Sequence, residues 1–347
     1  MIGIVGYGAY IPLYRIKVEE IARMWGKDPN IIKNGIGVDE ISVGGIDEDS
    51  VTISIEAASN ALRRAKIDKK QIGAVYCGSE SKAYAVKPNA SMIGHALDIG
   101  ENYTGADVEF ACKAGSATIQ ICAGLVGSGL VKYGLAVGAD TSQARPGGIP
   151  EYIASSGGGA FILGSKKAEM LAEMEYTRSV TSDTPDFWRR NTEPYPCHGE
   201  RFTGDKAYFK HTVQATKKLL EEIGADVSDI DYFVFHTPNS KFPMKVAKIF
   251  GIPKEKVLPS LIVKNVGNAY SASSLLGLTA TLDIAQPGQR ILMTSFGSGA
   301  GSDSFCFRVT DNIEEKRDLA PKTQDYIQRT KYLDYAIYCK YRGKILI

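Results

Sequence analysis

The stretch Ala106-Asp-Val-Glu-Phe-Ala-Cys112-Lys-Ala-Gly-Ser-Ala-Thr-Ile-Gln-Ile-Cys122 reads as a strand, a sharp turn and a helix. Between Val108 and Ala111 the β-branched and aromatic side chains favour extended backbone, and Ala114, Gly115, Ser116 and Ala117 are all small. A helix is predicted from about Ser116 through Ile119, Gln120 and Ala123 to Val126. Cys112 falls at the turn, at the helix N-terminus, where unpaired N–H groups and the macrodipole favour a thiolate. Cys122 sits mid-helix between Ile121 and Ala123 and fits the commoner role of a free cysteine, a small buried hydrophobe. The contrast makes Cys112 the candidate nucleophile.

With 347 residues, the chain has room for two domains or one duplicated unit. The formal net charge is +2 with no basic block, so no nucleic-acid footprint is expected. The six cysteines lack CxxC spacing, which argues against a zinc site or a disulfide framework and for a reducing compartment. Met1-Ile-Gly-Ile-Val-Gly-Tyr7 reads as a strand rather than a signal peptide. No apolar run reaches the roughly 18 residues of a membrane span. A soluble cytoplasmic protein, with no membrane contact and no metal, is expected. Gly3-Ile-Val-Gly6-Tyr-Gly8 lacks both the GxGxxG spacing and the following helix of a dinucleotide site.

Read in order, the first half gives a strand over 1–12, a helix over 17–26, a loop-rich 27–49 and a helix over 51–65. A strand over 72–77 follows, ending in Gly78-Ser-Glu80-Ser, then a helix over 89–97. After the Cys112 unit come strands over 133–138 and 159–163. Much of this recurs. Helices are expected over 212–223, 242–250 and 275–282, and strands over 230–235, 290–294 and 304–309. Lys69-Lys-Gln-Ile-Gly-Ala-Val-Tyr-Cys-Gly-Ser79 parallels Val227-Ser-Asp-Ile-Asp-Tyr-Phe-Val-Phe-His-Thr237 (227 − 69 = 158). Phe110-Ala-Cys-Lys-Ala-Gly-Ser-Ala-Thr118 parallels Val266-Gly-Asn-Ala-Tyr-Ser-Ala-Ser-Ser274 (266 − 110 = 156). The near-equal offsets imply two α/β halves, 1–165 and 211–310, packed about a pseudo-twofold axis. Residues 166–210 read as an inserted aromatic and basic flap, and 311–347 as a Tyr-rich C-terminal extension packing at an edge or against a partner.

The repeat makes Cys112 and Asn268 equivalent and puts Glu80 and His236 on equivalent loops. A thiol, an imidazole and an amide so placed suit acyl transfer: thiolate attack on a thioester gives an acyl-enzyme. His236 follows an apolar strand and titrates near neutrality, so it suits proton transfer, whereas His95, His198 and His211 are expected to be structural. Backbone N–H groups at Cys112 and in the Gly297–Gly301 run are candidates for an oxyanion hole. Glu80, if buried, has a raised pKa and becomes a base able to remove a proton from an acetyl methyl. Lys241 and Lys245 share a helix face and Arg201 lies in the flap; these cations suit phosphates at a tunnel mouth.

As a set, these motifs resemble the thiolase superfamily, and more closely the 3-hydroxy-3-methylglutaryl-CoA (HMG-CoA) synthases of the archaeal type. The resemblance covers about residues 1–310 and rests on Gly78-Ser-Glu80-Ser, Glu109-Phe-Ala-Cys112-Lys-Ala-Gly115, Val234-Phe-His236-Thr-Pro238, Gly267-Asn268-Ala-Tyr-Ser-Ala-Ser273 and Phe296-Gly-Ser298-Gly299. Asp186-Phe-Trp188, Tyr195-Pro196 and Gly199-Glu-Arg-Phe-Thr203 extend it through the insertion. It implies an α/β thiolase-like fold, two pseudo-twofold-related βαβ halves in a five-layered αβαβα arrangement. It also implies a reaction. Acetyl-CoA acylates Cys112, Glu80 deprotonates the acetyl methyl, the carbanion attacks the ketone of acetoacetyl-CoA, and His236 protonates the alkoxide. Water then releases HMG-CoA for the mevalonate route to isoprenoids. Asn268 and Ser298 would orient substrate; Arg201, Thr203, Lys241 and Lys245 would contact CoA or acyl groups; Asp28 would belong to an early loop against the ligand. Ile153 stands where the family pattern has a Thr, with Ser156 the candidate substitute. No metal or organic cofactor is implied. A homodimer is implied, with acetoacetyl-CoA thiolase and a small bridging protein as partners.

A β-ketoacyl–acyl-carrier-protein synthase of the Cys-His-Asn kind is the nearest rival, but it has no use for Glu80 or the 186–203 insertion. A non-catalytic scaffold of the same fold would need none of Cys112, Glu80 and His236.

Overall fold

Side-chain alternation along the strands sets the layers. In a computed structural model, which describes residues 1–199 and 202–345, nine strands form one mixed sheet. Five belong to the first half, in the order Gly3–Tyr10, Gly157–Gly164, Tyr133–Asp140, Ile72–Gly78 and Thr104–Val108. Four follow the same plan outward from the centre: Ala172–Thr181, Gly301–Val309, Arg290–Thr294 and Tyr232–Phe235. Each set runs antiparallel, antiparallel, then parallel. The halves join through Gly3 opposite Glu173 and Ile4 opposite Ala172.

Alternate residues of each strand face opposite layers. Phe161, Leu163, Ile291, Met293, Phe305 and Phe307 point inward onto Ile119, Cys122 and Val126 of the helix Ala114–Gly127 and onto Leu275, Leu278 and Leu282 of the helix Ser273–Leu282. Their neighbours Ala160, Ile162, Leu135 and Val137 point outward onto Ala57, Ala58 and Ala61 of the helix Ser50–Ala65. In the second half, Phe233, Phe235, Leu292 and Cys306 face Leu219 and Leu220 of the helix Lys210–Ile223 and Val246 and Ala247 of the helix Lys241–Phe250. With the two halves of the sheet on either side of the central helices, the layers run helix, half-sheet, helix, half-sheet, helix. Each fully buried Phe or Leu of the middle layer contributes roughly 1.5–3 kcal/mol.

The two central helices meet at their N-termini. A Cβ on Gly115 would lie 2.4 Å from the carbonyl oxygen of Ser271. These two residues are themselves related by the repeat (271 − 115 = 156), so the pseudo-twofold axis passes between them. Only a small residue allows that approach, which explains the run of small side chains after Cys112.

Three stretches differ from the sequence expectation. The region 27–49 contains the helix Pro29–Ile36, capped by Asp28 and closed at Gly37 (φ 68), and the strand Glu40–Val43. The strand before Cys112 is Thr104–Val108 rather than 108–111, and the helix after it starts at Ala114. Most consequentially, 166–210 is not all flap: Ala172–Thr181 is the second half's counterpart of Gly3–Tyr10, so that half begins near residue 172. Charge hides this strand in the sequence: Glu175 pairs with Arg308 on the adjacent strand and with Arg290 on the strand beyond it. The C-terminal extension packs on its own chain. Lys331–Tyr332 pairs parallel to Tyr14–Lys17, which pairs antiparallel to Glu40–Val43, and the helix Tyr335–Tyr341 buries Tyr338 beside them. Among the described residues, no helix is long and apolar enough to cross a membrane.

Candidate active site

The turn carrying Cys112 is set by an unusual backbone. Ala111 has φ 44, the left-handed region that L-residues seldom occupy, and Gly267, 156 residues later, has φ 83. Both Cys112 and Asn268 are thus thrown off a sharp corner ahead of a central helix, the first after the strand Thr104–Val108 and the second after the short helix Val263–Val266. Lys113 anchors the first corner to the other half: its Nζ lies 3.0 Å from Asp303 Oδ2, which also accepts from Ser116 Oγ at 2.7 Å.

Cys112 Sγ donates to Glu80 Oε1 at 3.2 Å, and the two residues are 8% and 9% exposed. Burial pushes the thiol well above its ordinary pKa, and the Glu80 charge adds to the effect. This reverses the thiolate expected of a helix N-terminus: the resting sulfur is protonated. Burial, with Asp140 second, raises the Glu80 carboxyl as well. His236, at the end of the strand Tyr232–Phe235, is 1% exposed, and burial lowers its pKa to about 3. It is therefore neutral, and its Nδ1 has no partner among the described residues. Its carbonyl accepts from Tyr208 OH at 2.6 Å.

Cys112, His236, Asn268, Thr203 and Ser298 line one cavity of ≈ 770 Å³. Its walls are largely apolar, including Ile153, Phe187, Tyr208, Phe242, Tyr270 and Phe296. Asn268 is fixed on three sides. Its N–H donates to the Ile153 carbonyl at 2.7 Å, its carbonyl accepts from Ser155 N at 2.9 Å, and its Oδ1 accepts from Tyr270 N at 3.0 Å.

Other expected site residues stand elsewhere. Asp28 accepts from Asn30 N at 2.8 Å as a helix cap and is not on the cavity wall, which that helix reaches through Ile36 at its other end. Ser156 is fully buried, bonded to Ser42 and Ser142, and Ile153 rather than Ser156 lines the cavity. Lys241 and Lys245 are exposed on the helix that supplies Phe242. Lys245 lies 3.3 Å from Asp205 and 4.1 Å from the Phe209 ring centre. Arg201 lies outside the described residues. In the Gly297–Gly301 run, the N–H groups of Gly297, Gly299, Ala300 and Gly301 are donated to Gly301, Asp186, Ser182 and Gly297 respectively. That excludes them from the oxyanion hole expected there. His211 is structural, bonded to Ser182 and Ala207. His198, expected to be structural, lines the cavity, its ring 5.3 Å from that of Phe187.

Two aspartates have no role in the sequence reading, although Asp186 stands in one of its motifs. Asp140 is fully buried and braces both halves of the site. Its Oδ1 accepts from Ser79 Oγ (2.8 Å), Glu80 N (2.9 Å), Ser81 N (2.9 Å) and Ser81 Oγ (2.6 Å), and its Oδ2 accepts from Ser271 N (2.9 Å). A lone carboxylate closing the apolar strand Tyr133–Asp140 was the available signal. Asp186, also fully buried, accepts from Thr184 and Gly299 through Oδ1 and lines the cavity.

A thiol, a raised carboxyl and a neutral imidazole around an apolar cavity, on a duplicated five-layer scaffold, define a condensing enzyme of the thiolase-like class. Residues 220–309 match the family model for the C-terminal part of 3-oxoacyl-[acyl-carrier-protein] synthase III. A structure of MvaS in complex with 3-hydroxy-3-methylglutaryl coenzyme A superposes with a TM-score of 0.88 at 21% identity, covering 98% of this chain and 91% of that one. The 3-oxoacyl-(acyl carrier protein) synthase III FabH from Pseudomonas aeruginosa superposes with a TM-score of 0.81 at 21% identity, covering 89% and 98%. The closer likeness is in sequence. The chain is 58% identical over 345 residues to a hydroxymethylglutaryl-CoA synthase of Archaeoglobus fulgidus, and 56% identical over 345 residues to one of Methanothermobacter thermautotrophicus. Each match covers 99% of both chains. This chain belongs to the hydroxymethylglutaryl-CoA synthase family.

Proposed function

We infer that this chain condenses acetyl-CoA with acetoacetyl-CoA and water to give (3S)-HMG-CoA and CoA through an acetyl-Cys112 intermediate, as a step of the mevalonate pathway. The observation that carries the reading is the hydrogen bond from Cys112 to Glu80, which puts a strong base beside the nucleophile. In acylation, Sγ attacks the acetyl carbonyl carbon as its proton passes to Glu80. The tetrahedral adduct then expels CoA, and the sulfur of CoA takes that proton. In condensation, Glu80 removes a proton from the acetyl methyl and the carbanion bonds to the ketone carbon of acetoacetyl-CoA. His236, neutral and buried, gives its ring N–H proton to the oxygen on which negative charge develops, and the proton taken from the methyl is returned from Glu80 to the imidazole, so both residues end the step as they began it. Water cleaves the remaining thioester, freeing the Cys112 thiol and the new carboxylate.

Asn268 uses Oδ1 internally, which leaves its amide nitrogen to orient an acyl oxygen. Cys112 N–H and Ser298 N–H are the proposed oxyanion donors. Thr203, Arg201, Lys241 and Lys245 are proposed at the CoA end. The reading calls for no metal and no organic cofactor. A cytoplasmic homodimer receiving acetoacetyl-CoA from a thiolase through a small bridging protein completes it.

The test supplies each thioester alone and both together, and follows Cys112 and free products by mass spectrometry. Acetyl-Cys112 with acetyl-CoA, and HMG-CoA only with both, is the expected result. Extension of a malonyl carrier substrate instead would assign the chain to the ketoacyl synthases, and absence of any acyl-enzyme would remove the catalytic reading.

A further inference from the structure

The segment 142–156 forms one wall of the cavity and holds Asn268, yet a cluster from the far C-terminus pins it. Glu151 is fully buried and accepts four hydrogen bonds: Trp25 Nε1 at 3.0 Å, Gly147 N at 2.8 Å, Tyr335 OH at 3.0 Å and Lys344 Nζ at 3.2 Å. The Lys344 side chain is 4% exposed, donates also to Tyr338 OH at 2.8 Å and lies over that ring. A buried cation of this kind costs several kcal/mol in desolvation unless its partners are well placed, and a surface extension has no need of one. One residue pair earlier, Arg342 donates to the Ser142 carbonyl. The next N–H, that of Gln143, lies 3.4 Å from the hydroxyl of Tyr270, whose ring packs beside Cys112.

From Glu151 the path to the chemistry is short. It sits in the turn Ile149–Tyr152, where the Pro150 carbonyl accepts from Ile153 N and Ala154 N. Ile153 and Ser155 then hold Asn268 by its backbone. We propose that Arg342 and Lys344 are positioning residues, which fix the 142–156 wall through Ser142 and Glu151 and thereby set Tyr270 and Asn268 for the condensation step. This rests on the synthase reading only for the name of the step; the mechanical link stands on the hydrogen bonds alone. A tail that merely covered an edge would leave the wall unchanged when its charges were removed.

The experiment uses full-length protein carrying Arg342→Met, Lys344→Met or Arg342→Lys. Glu151 keeps three donors without Lys344, and thermal melts establish that each variant is folded before exchange is measured. Amide exchange is followed over 142–156 and 266–270 and, as a reference, over the helix Ser50–Ala65. Single-turnover acetylation and condensation are timed separately. The Met variants are expected to exchange about tenfold faster in the two site segments with the reference unchanged, and to condense about tenfold slower with acetylation within about twofold. Arg342→Lys restores most of the protection. Unchanged exchange over 142–156, faster exchange everywhere, or equal loss in both half-reactions would overturn the proposal. If the wild-type protein makes no HMG-CoA while the exchange pattern appears as expected, the reaction has been misread and the clamp stands.

Discussion

Cys112 and Asn268 occupy the same corner in two copies of one design, and they have been put to opposite uses. Each follows a residue in the left-handed region and each precedes a central helix. At Asn268 the corner is tied down, with backbone N–H, backbone carbonyl and side-chain oxygen all bonded inside the protein. At Cys112 the sulfur has Glu80 as its side-chain partner, while the anchoring falls to its neighbour Lys113. The duplicated scaffold supplies two rigid corners facing one cavity. In the proposed reaction one corner supplies the atom that is acylated and the other is held fixed. Asp140 crosses between them, accepting from the Glu80 loop and from Ser271.

The comparison can be broken at several points. After Glu80, the largest effect is expected from His236→Ala: condensation should fall about 10²–10³-fold in single turnover while acetyl-Cys112 still forms, because a general acid is worth about that much. Equal loss in acetylation would mean that His236 serves the Cys112 corner rather than the second substrate. Asp140→Asn comes next. An amide donor would then meet the N–H groups that Asp140 now receives, and a stability loss of about 2–4 kcal/mol in denaturant melts is expected. Asp140 also raises the Glu80 carboxyl, so its loss should move the acid limb of the condensation pH profile to lower pH. A limb that stayed in place would deny the coupling. The smallest effect contrasts the two corners directly. In Gly267→Ala the new Cβ would meet the Ile153 carbonyl oxygen at 2.7 Å at a φ of +83, and thermal melts should show a loss of more than about 1 kcal/mol. Ala111→Gly relieves the same kind of strain and should be neutral or stabilising by up to about 1 kcal/mol. Similar losses in both would show that the corners are not equivalent.

Much of this was legible beforehand, because the repeat carries local signals. Strands ending in Ser79-Glu80 and His236-Thr237, and small-residue turns at Cys112 and Asn268, are patterns within a dozen residues. What escaped depends on contacts far along the chain. Ala172–Thr181 was obscured by Glu173, Glu175 and Arg178, charged on faces that a buried strand would fill with apolar groups. Asp140 shows its purpose only once residues 60 positions before it and 131 after it converge on it. The thiol's protonation is not legible in sequence because a helix N-terminus is local and visible, whereas burial beside Glu80 is neither. The Tyr-rich tail gave its composition but not its place against Glu151.

The most direct test of the account is a single turnover with Glu80→Gln, in which Cys112, acetylated more slowly without its base, is first taken to full acetylation and acetoacetyl-CoA is then added while intact protein and products are weighed by mass spectrometry. The account predicts that the acetyl group stays on Cys112 and that HMG-CoA formation falls about 10³-fold or more. HMG-CoA appearing at close to the wild-type rate would contradict it, since the methyl proton would then have been taken by some group other than Glu80.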